Sequence, residues 1–240
     1  MNKKYPSFFL DSLSMRKLRR SLQKTFDEEN CEAFYLHRKL SIYITLFLAK
    51  AVPGLLPNHV TKAGAILGLL SALIIAVFYS GEIAAILGLL AYHVTYTADL
   101  VDGELARLKR VFSENAKTLD RIQDFALLSL LVATLVKTSI SYDAIFAGAG
   151  VSAIAIFRFG MFEAANLHKP PVPPAERMRG LVFECLRYPF LWPGILLMNF
   201  IAAFATSVLE FDFYSPIFSI HLLIFTAHAL KKFLYSDQYH

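Results

Sequence analysis

This sequence is short of charge. Only 18% of its 240 residues are Asp, Glu, Lys or Arg, too few for an ordinary soluble domain of that size. Cysteine is scarcer still. Cys31 and Cys185 lie far apart and match no metal-ligand spacing, so they give no support to a disulfide framework or a zinc site and read as buried thiols. The first ~35 residues have no apolar core followed by small residues, so no cleavable export signal is expected and the first true span should direct insertion. No internal repeat is present. The long apolar runs also exclude the alternating ten-residue strands of a membrane barrel, which leaves helices as the spanning elements.

What the sequence has instead is apolar length. Apolar residues make up 56% of the chain and the mean hydropathy is +0.48, in uncharged stretches approaching the roughly 20 residues that cross a bilayer. The expected fold is an all-α integral membrane protein, with six transmembrane helices preceded by an N-terminal cytoplasmic interfacial amphipathic helix. Spans are expected at about 60–80, 82–105, 119–137, 142–162, 187–208 and 214–233. Residues 1–56 then form a cytoplasmic N-terminal arm and interfacial helix, and 57–240 a six-helix transmembrane domain. The apolar stretch Leu40 to Leu56 is broken by Lys50 and by Pro53-Gly54, which favours an interfacial helix over a seventh span. Between the fourth and fifth spans, His168 to Pro174 is a proline-rich linker.

The formal charge of +5 points to membrane topology rather than to nucleic acid, because Lys and Arg in short loops stay in the cytoplasm. One set of loops holds Arg16 to Lys39, Lys50 to Lys62, Arg107 to Arg121, Lys169 to Arg187 and Lys231-Lys232; the opposite set holds little beyond Lys137. Both termini and the Asp99 to Asp124 region should therefore face the cytoplasm. The run Met15 to Lys24, with five cations around Leu18 and Leu22, fits a helix on anionic headgroups or a solvated arm.

Carboxylates at membrane depth are costly and demand a reason. Asp99 and Asp102 are three residues apart and Asp120 and Asp124 four apart, so each pair shares a helix face. A helical hairpin would bring all four together, where they repel unless cations neutralise them. Hard oxygen ligands suit magnesium or manganese, or calcium. The competing reading is four solvated helix-end carboxylates paired with Arg107, Lys117 or Arg121.

The stretch Asp99-Leu-Val-Asp102-Gly103-Glu-Leu-Ala106-Arg107, then eight residues, Ala116, three residues, Asp120, three residues and Asp124 resembles the CDP-alcohol phosphotransferase signature. Seven of its eight specified positions match; the eighth is usually glycine and here is Ala116. Pro57-Asn58-His59-Val60-Thr61 resembles the family's Pro-Asn-x-x-Thr entry to the first span, and also reads as helix punctuation with Asn58 as the cap. The resemblance implies transfer of a substituted phosphate from a CDP-alcohol to a hydroxyl acceptor, with release of CMP, by a homodimer among membrane lipids. It further implies that Asp99, Asp102 and Asp120 hold two Mg2+ or Mn2+ ions, and that Asp124 acts as the catalytic base while also touching metal. Nucleotide contacts would come from Asn58, Thr61, Asp99, Gly103, Ala106, Arg107 and Ser113, with Arg107 as a phosphate clamp. Ser113 also reads as a simple helix cap.

The acceptor side is less marked. Arg158 interrupts the apolar run of the fourth span near its cytoplasmic end, so it is a candidate for binding an anionic acceptor, with snorkelling to the interface as the competing reading. Tyr92, His93 and Tyr96 on the second span read as core packing, and His221 and His228 as isolated. Two other classes share part of this pattern. An intramembrane prenyltransferase would place its two acidic motifs far apart in a longer chain, and a cation transporter would place its acids near the bilayer midplane.

Overall fold

The computed structural model describes residues 5–9, 11–26, 29, 32–113, 115–138 and 192–209, together with 211, 213 and 217. The described residues are helical, without strands. The expected fourth span, the expected sixth span apart from Ile217, the linker His168 to Pro174, Arg158, His221 and His228 lie outside them.

Helix α1, Leu13–Leu22, starts where the Ser12 Oγ accepts the Met15 N–H at 3.2 Å, supplying one of the donors' missing partners at a helix start. A single π turn, Ala33–His37, leads directly into α2, Arg38–Ala51. Helix α3, Pro57–Phe78, opens on a proline at its first position, where the absent N–H costs nothing. Its cap is Leu56, and the Asn58 side chain instead donates to Ser113 Oγ at 2.9 Å. The capping role expected for Asn58 is thus replaced by a tie to the turn that holds Ser113.

Tyr79 and Ser80 connect α3 to α4, Gly81–Lys109, and Gly81 takes φ +57, a left-handed conformation that suits a residue without Cβ. At 29 residues, α4 is about 43 Å long at 1.5 Å per residue, and it ends with Arg110 at φ 55. A short turn brings the chain back as α5, Ala116–Thr138, and the last described helix is α6, Trp192–Leu209. Among the described helices, α3 and α4 are long and apolar enough to cross a membrane. Their outward faces are apolar as well, with Ile66, Leu70, Leu73 and Val77 on α3 and Ile83, Ile86, Leu90 and Val94 on α4 all exposed, the reverse of a soluble surface.

Helices α3, α4 and α5 pack against one another through small residues. A Cβ on Gly64 would meet the Ala98 Cβ at 2.9 Å, and one on Gly68 the Ala126 Cβ at 3.2 Å. Close backbone approach of this kind is how helices associate where lipid removes the hydrophobic drive. Tyr92, Leu100, Leu127, Leu131, Leu196 and Phe200 form the core joining α4, α5 and α6. The hairpin of α4 and α5 is what sets the two aspartate pairs side by side.

Candidate active site

The two aspartate pairs meet. Asp99 and Asp102 come from the last third of α4 and Asp120 from the first turns of α5, and one carboxylate oxygen from each lies within 4.8 Å of the others. Asp124, one turn further along α5, lines the same cavity of about 330 Å³. Lys24, Glu29 and Arg38 from the N-terminal arm complete its wall with Tyr96, Gly103, Arg107 and Gln123.

Like charges at 4.8 Å repel by roughly 3 kcal/mol at an effective dielectric near 20, and by less at exposed Asp120, which solvent screens. Lys24, Arg38 and Arg107 in the cavity wall offset part of this from a distance. None of Asp99, Asp102 and Asp120 forms an ion pair among the described residues, and Asp102 accepts a hydrogen bond from the Thr61 hydroxyl. The competing expectation, carboxylates paired with Arg107, Lys117 or Arg121, does not hold for these three. Arg107 instead donates through Nε to the Leu22 carbonyl, while its Nη2 is buried without a partner among the described residues.

The donor set fits a divalent cation. Three carboxylates with converging oxygens supply hard ligands and net negative charge, the chemistry that magnesium and manganese require. Two further features of the wall leave room for a ligand, with a donor for an anionic group at Arg107 and an acceptor at Gln123. Gly103 presents no side chain, and a Cβ there would touch only the Arg107 guanidinium, at 3.5 Å. Both Arg107 Nη2 and the buried Gln123 Oε1 lack partners among the described residues, and an unmet polar atom in a cavity wall marks where a ligand can be held.

The other residues expected at the site divide. Thr61 reaches it through Asp102. Asn58 and Ser113 bond each other, so both tie the start of α3 to the α4–α5 turn without lining the cavity. Beside them Lys109 Nζ donates to the Pro53 and Leu55 carbonyls, at 2.6 Å each. Ala106 is half-buried in the last turn of α4, where its carbonyl accepts the Val111 N–H at 3.1 Å, and it too lies outside the lining.

Sequence reasoning missed the N-terminal contribution. Arg19, expected on headgroups or in solvent, is 1% exposed. It binds Asp11, Gln23 Oε1 and the carbonyls of Arg38 and Lys39, while Arg16, Lys17 and Arg20 stay exposed. Glu104, an unspecified position of the signature, is wholly buried and accepts from Gln23, Arg38, Ser41 and Thr45. Its local signal was a charged residue inside an apolar segment; its partners lie about 60 to 80 positions away, beyond any periodic pattern.

A sequence model of the CDP-alcohol phosphatidyltransferase family matches residues 54–209, more than half of the chain. No curated protein matches it. The matched segment begins just before α3 and takes in all four aspartates.

Proposed function

The chain belongs to the CDP-alcohol phosphatidyltransferase family, and from that premise we propose that it transfers a substituted phosphate from a CDP-alcohol, such as CDP-diacylglycerol, to an acceptor hydroxyl and releases CMP in phospholipid or polar-headgroup synthesis. The family is membrane-embedded and uses divalent metal. The observation that carries the reading is the convergence of Asp99, Asp102 and Asp120 in a cavity that also holds Asp124, Arg107 and Gly103. The six-span topology with both termini cytoplasmic, and a homodimeric assembly, complete the proposal.

Asp99, Asp102 and Asp120 would hold the ions, magnesium or manganese and two in number, with Asp124 as a further ligand. Bound there, divalent metal neutralises the diphosphate and stabilises charge on the departing CMP. The chain's own residues do the rest. Asp124 takes the proton of the acceptor hydroxyl as its oxygen bonds to phosphorus and the bond from phosphorus to the CMP oxygen breaks. Arg107 has a guanidinium end to spare for a phosphate oxygen, and the bare backbone at Gly103 lets the nucleotide come close. Thr61 orients the Asp102 carboxylate, and Asn58 and Ser113 fix the turn that sets the hairpin's register. Arg158 is the candidate for an anionic acceptor.

The test uses detergent-purified protein with CDP-diacylglycerol, CDP-choline, CDP-ethanolamine or CDP-inositol and candidate acceptors, reading CMP release. Release should require divalent metal, and Asp124→Asn should reduce it by about 10²–10⁴-fold, the usual contribution of a positioned base, while the protein stays folded. Wild-type turnover by Asp124→Asn would remove the proposed base, and failure of every donor would overturn the reaction class.

A further inference from the structure

A second convergence of ligand-type atoms lies outside the acidic cavity. Glu32, His37 and His93 each bring one carboxylate or ring atom within 4.8 Å of the others. Glu32 and His37 are 6% and 4% exposed. Charged or titratable groups this deep need partners, and the hydrogen-bond directions around them are constrained.

The Thr97 hydroxyl donates its one hydrogen to the His93 carbonyl at 2.7 Å. At 2.8 Å from His37 Nδ1 it can then only accept, so Nδ1 carries hydrogen. A neutral His37 ring consequently has its lone pair at Nε2. That nitrogen sits 3.0 Å from Glu32 Oε1 and 3.3 Å from His93 Nδ1. The Glu32 carboxylate is an acceptor too, taking the Tyr92 hydroxyl at 2.9 and 3.0 Å. With a neutral ring, acceptor faces acceptor between His37 and Glu32, so the contact needs either a second ring proton at Nε2, which makes it an ion pair, or a metal ion.

We propose that Glu32, His37 and His93 form a binding site for a divalent transition-metal ion of the zinc class, separate from the acidic cavity. Zinc bonds of 2.0–2.2 Å to nitrogen and oxygen imply tetrahedral ligand-to-ligand edges of about 3.3–3.6 Å. The observed edges of 3.0, 3.3 and 3.9 Å bracket that range. Imidazole nitrogen selects zinc, cobalt or nickel over magnesium. The surroundings match a metal site's outer shell: Thr97 fixes the His37 tautomer and Tyr92 braces the carboxylate. The backbone is adapted as well. Five residues along an α-helix turn about 500°, so Glu32 and His37 would point roughly 140° apart; the π turn Ala33–His37 widens the coil and lets the two meet. Single π turns of this kind occur often at functional sites.

The position gives the ion a consequence. His93 and Asp99 are six residues apart on α4, about 9 Å along its axis, and Tyr96 packs edge-on to His37 at 4.8 Å while also lining the acidic cavity. An ion here pins the π turn, and with it the start of α2, to the helix that carries Asp99 and Asp102.

The test is Co2+ titration of tag-free, chelator-stripped full-length protein in detergent, read by visible d–d absorption. We expect a tetrahedral-type band saturating at a single equivalent, displaced by Zn2+ and unmoved by excess Mg2+. His37→Gln and His93→Gln should each lose the band, whereas Asp120→Asn should keep it. If those histidine variants do not fold, the unfolding temperature of the wild type decides: with the acidic cavity saturated by excess Mg2+, added Zn2+ should raise it further. A proton shared between His37 and Glu32 would leave the wild type without band or shift and overturn the site, as would a band that survives both histidine variants or vanishes in Asp120→Asn.

Discussion

Asp102 and Glu104 are two residues apart on α4, so their side chains leave opposite faces of the helix, and the surroundings on those faces differ in kind. Toward α1 and α2, the Glu104 carboxylate takes four side-chain donors, one of them Arg38 at 3.0 Å, which also grips Glu29 at 2.6 Å. Burial lowers the Arg38 pKa, but Glu29 and Glu104 more than offset it and leave it raised. Toward α5, Asp99, Asp102 and Asp120 approach one another with no ion pair among the described residues and a hydroxyl at Asp102. A carboxylate whose acceptor sites are filled by its own protein holds the fold together. One kept near its like keeps its acceptor sites for something that is not protein.

The widest gap between the faces should appear in activity. Asp99→Asn is expected to reduce CMP release by roughly a hundredfold or more, in line with the loss of one charge-stabilising group, without lowering stability. Removing one member of a repelling group should raise the metal-free unfolding temperature, the usual trade between stability and activity. A variant with lost activity and a lowered unfolding temperature would break the contrast from that side.

Glu104→Ala tests the other side. It leaves the Arg38 guanidinium buried with one carboxylate instead of two, and breaking a buried pair this way costs about 3–5 kcal/mol, measurable by denaturant unfolding in detergent. Turnover per folded molecule should fall far less than in Asp99→Asn. If Glu104→Ala is as stable as the wild type, the donors around Glu104 are not holding the arm to α4.

The contrast was only half legible in the sequence. The aspartate pairs stood out because helical spacing is local: three and four residues are one turn, and the two apolar runs beside them defined α3 and α4. Glu104 and Arg38 gave no such signal, since 66 positions separate them. Arg19 looked like one of the five cations between Met15 and Lys24 because its burial depends on carbonyls at positions 38 and 39. The Glu32 and His37 pairing hid for another reason. A spacing of five belongs to no α-helical face, and only the π turn turns it into a contact.

Gly88 separates charge from packing as the source of these effects, because it lies on α4 well away from both carboxylate groups. A Cβ there would stand 2.2 Å from the Thr134 Oγ1, 2.7 Å from its Cγ2 and 3.0 Å from its Cβ. Thr134 cannot easily turn aside, being fully buried with its hydroxyl on the Leu130 carbonyl at 2.8 Å. Gly88→Ala should therefore part α4 from α5 locally and cost about 1–3 kcal/mol, the range for an overpacked core. Thr134→Ala in the same protein should recover most of that loss, since it removes two of the three crowded atoms. Such a coupling identifies the contact itself as the cause. Turnover per folded molecule should stay near wild type, because the strain falls four helical turns or so from Asp102. If Gly88→Ala instead abolishes turnover at unchanged stability, then the spacing of α4 and α5 along their whole length sets the carboxylate geometry, and the two faces of α4 are not independent.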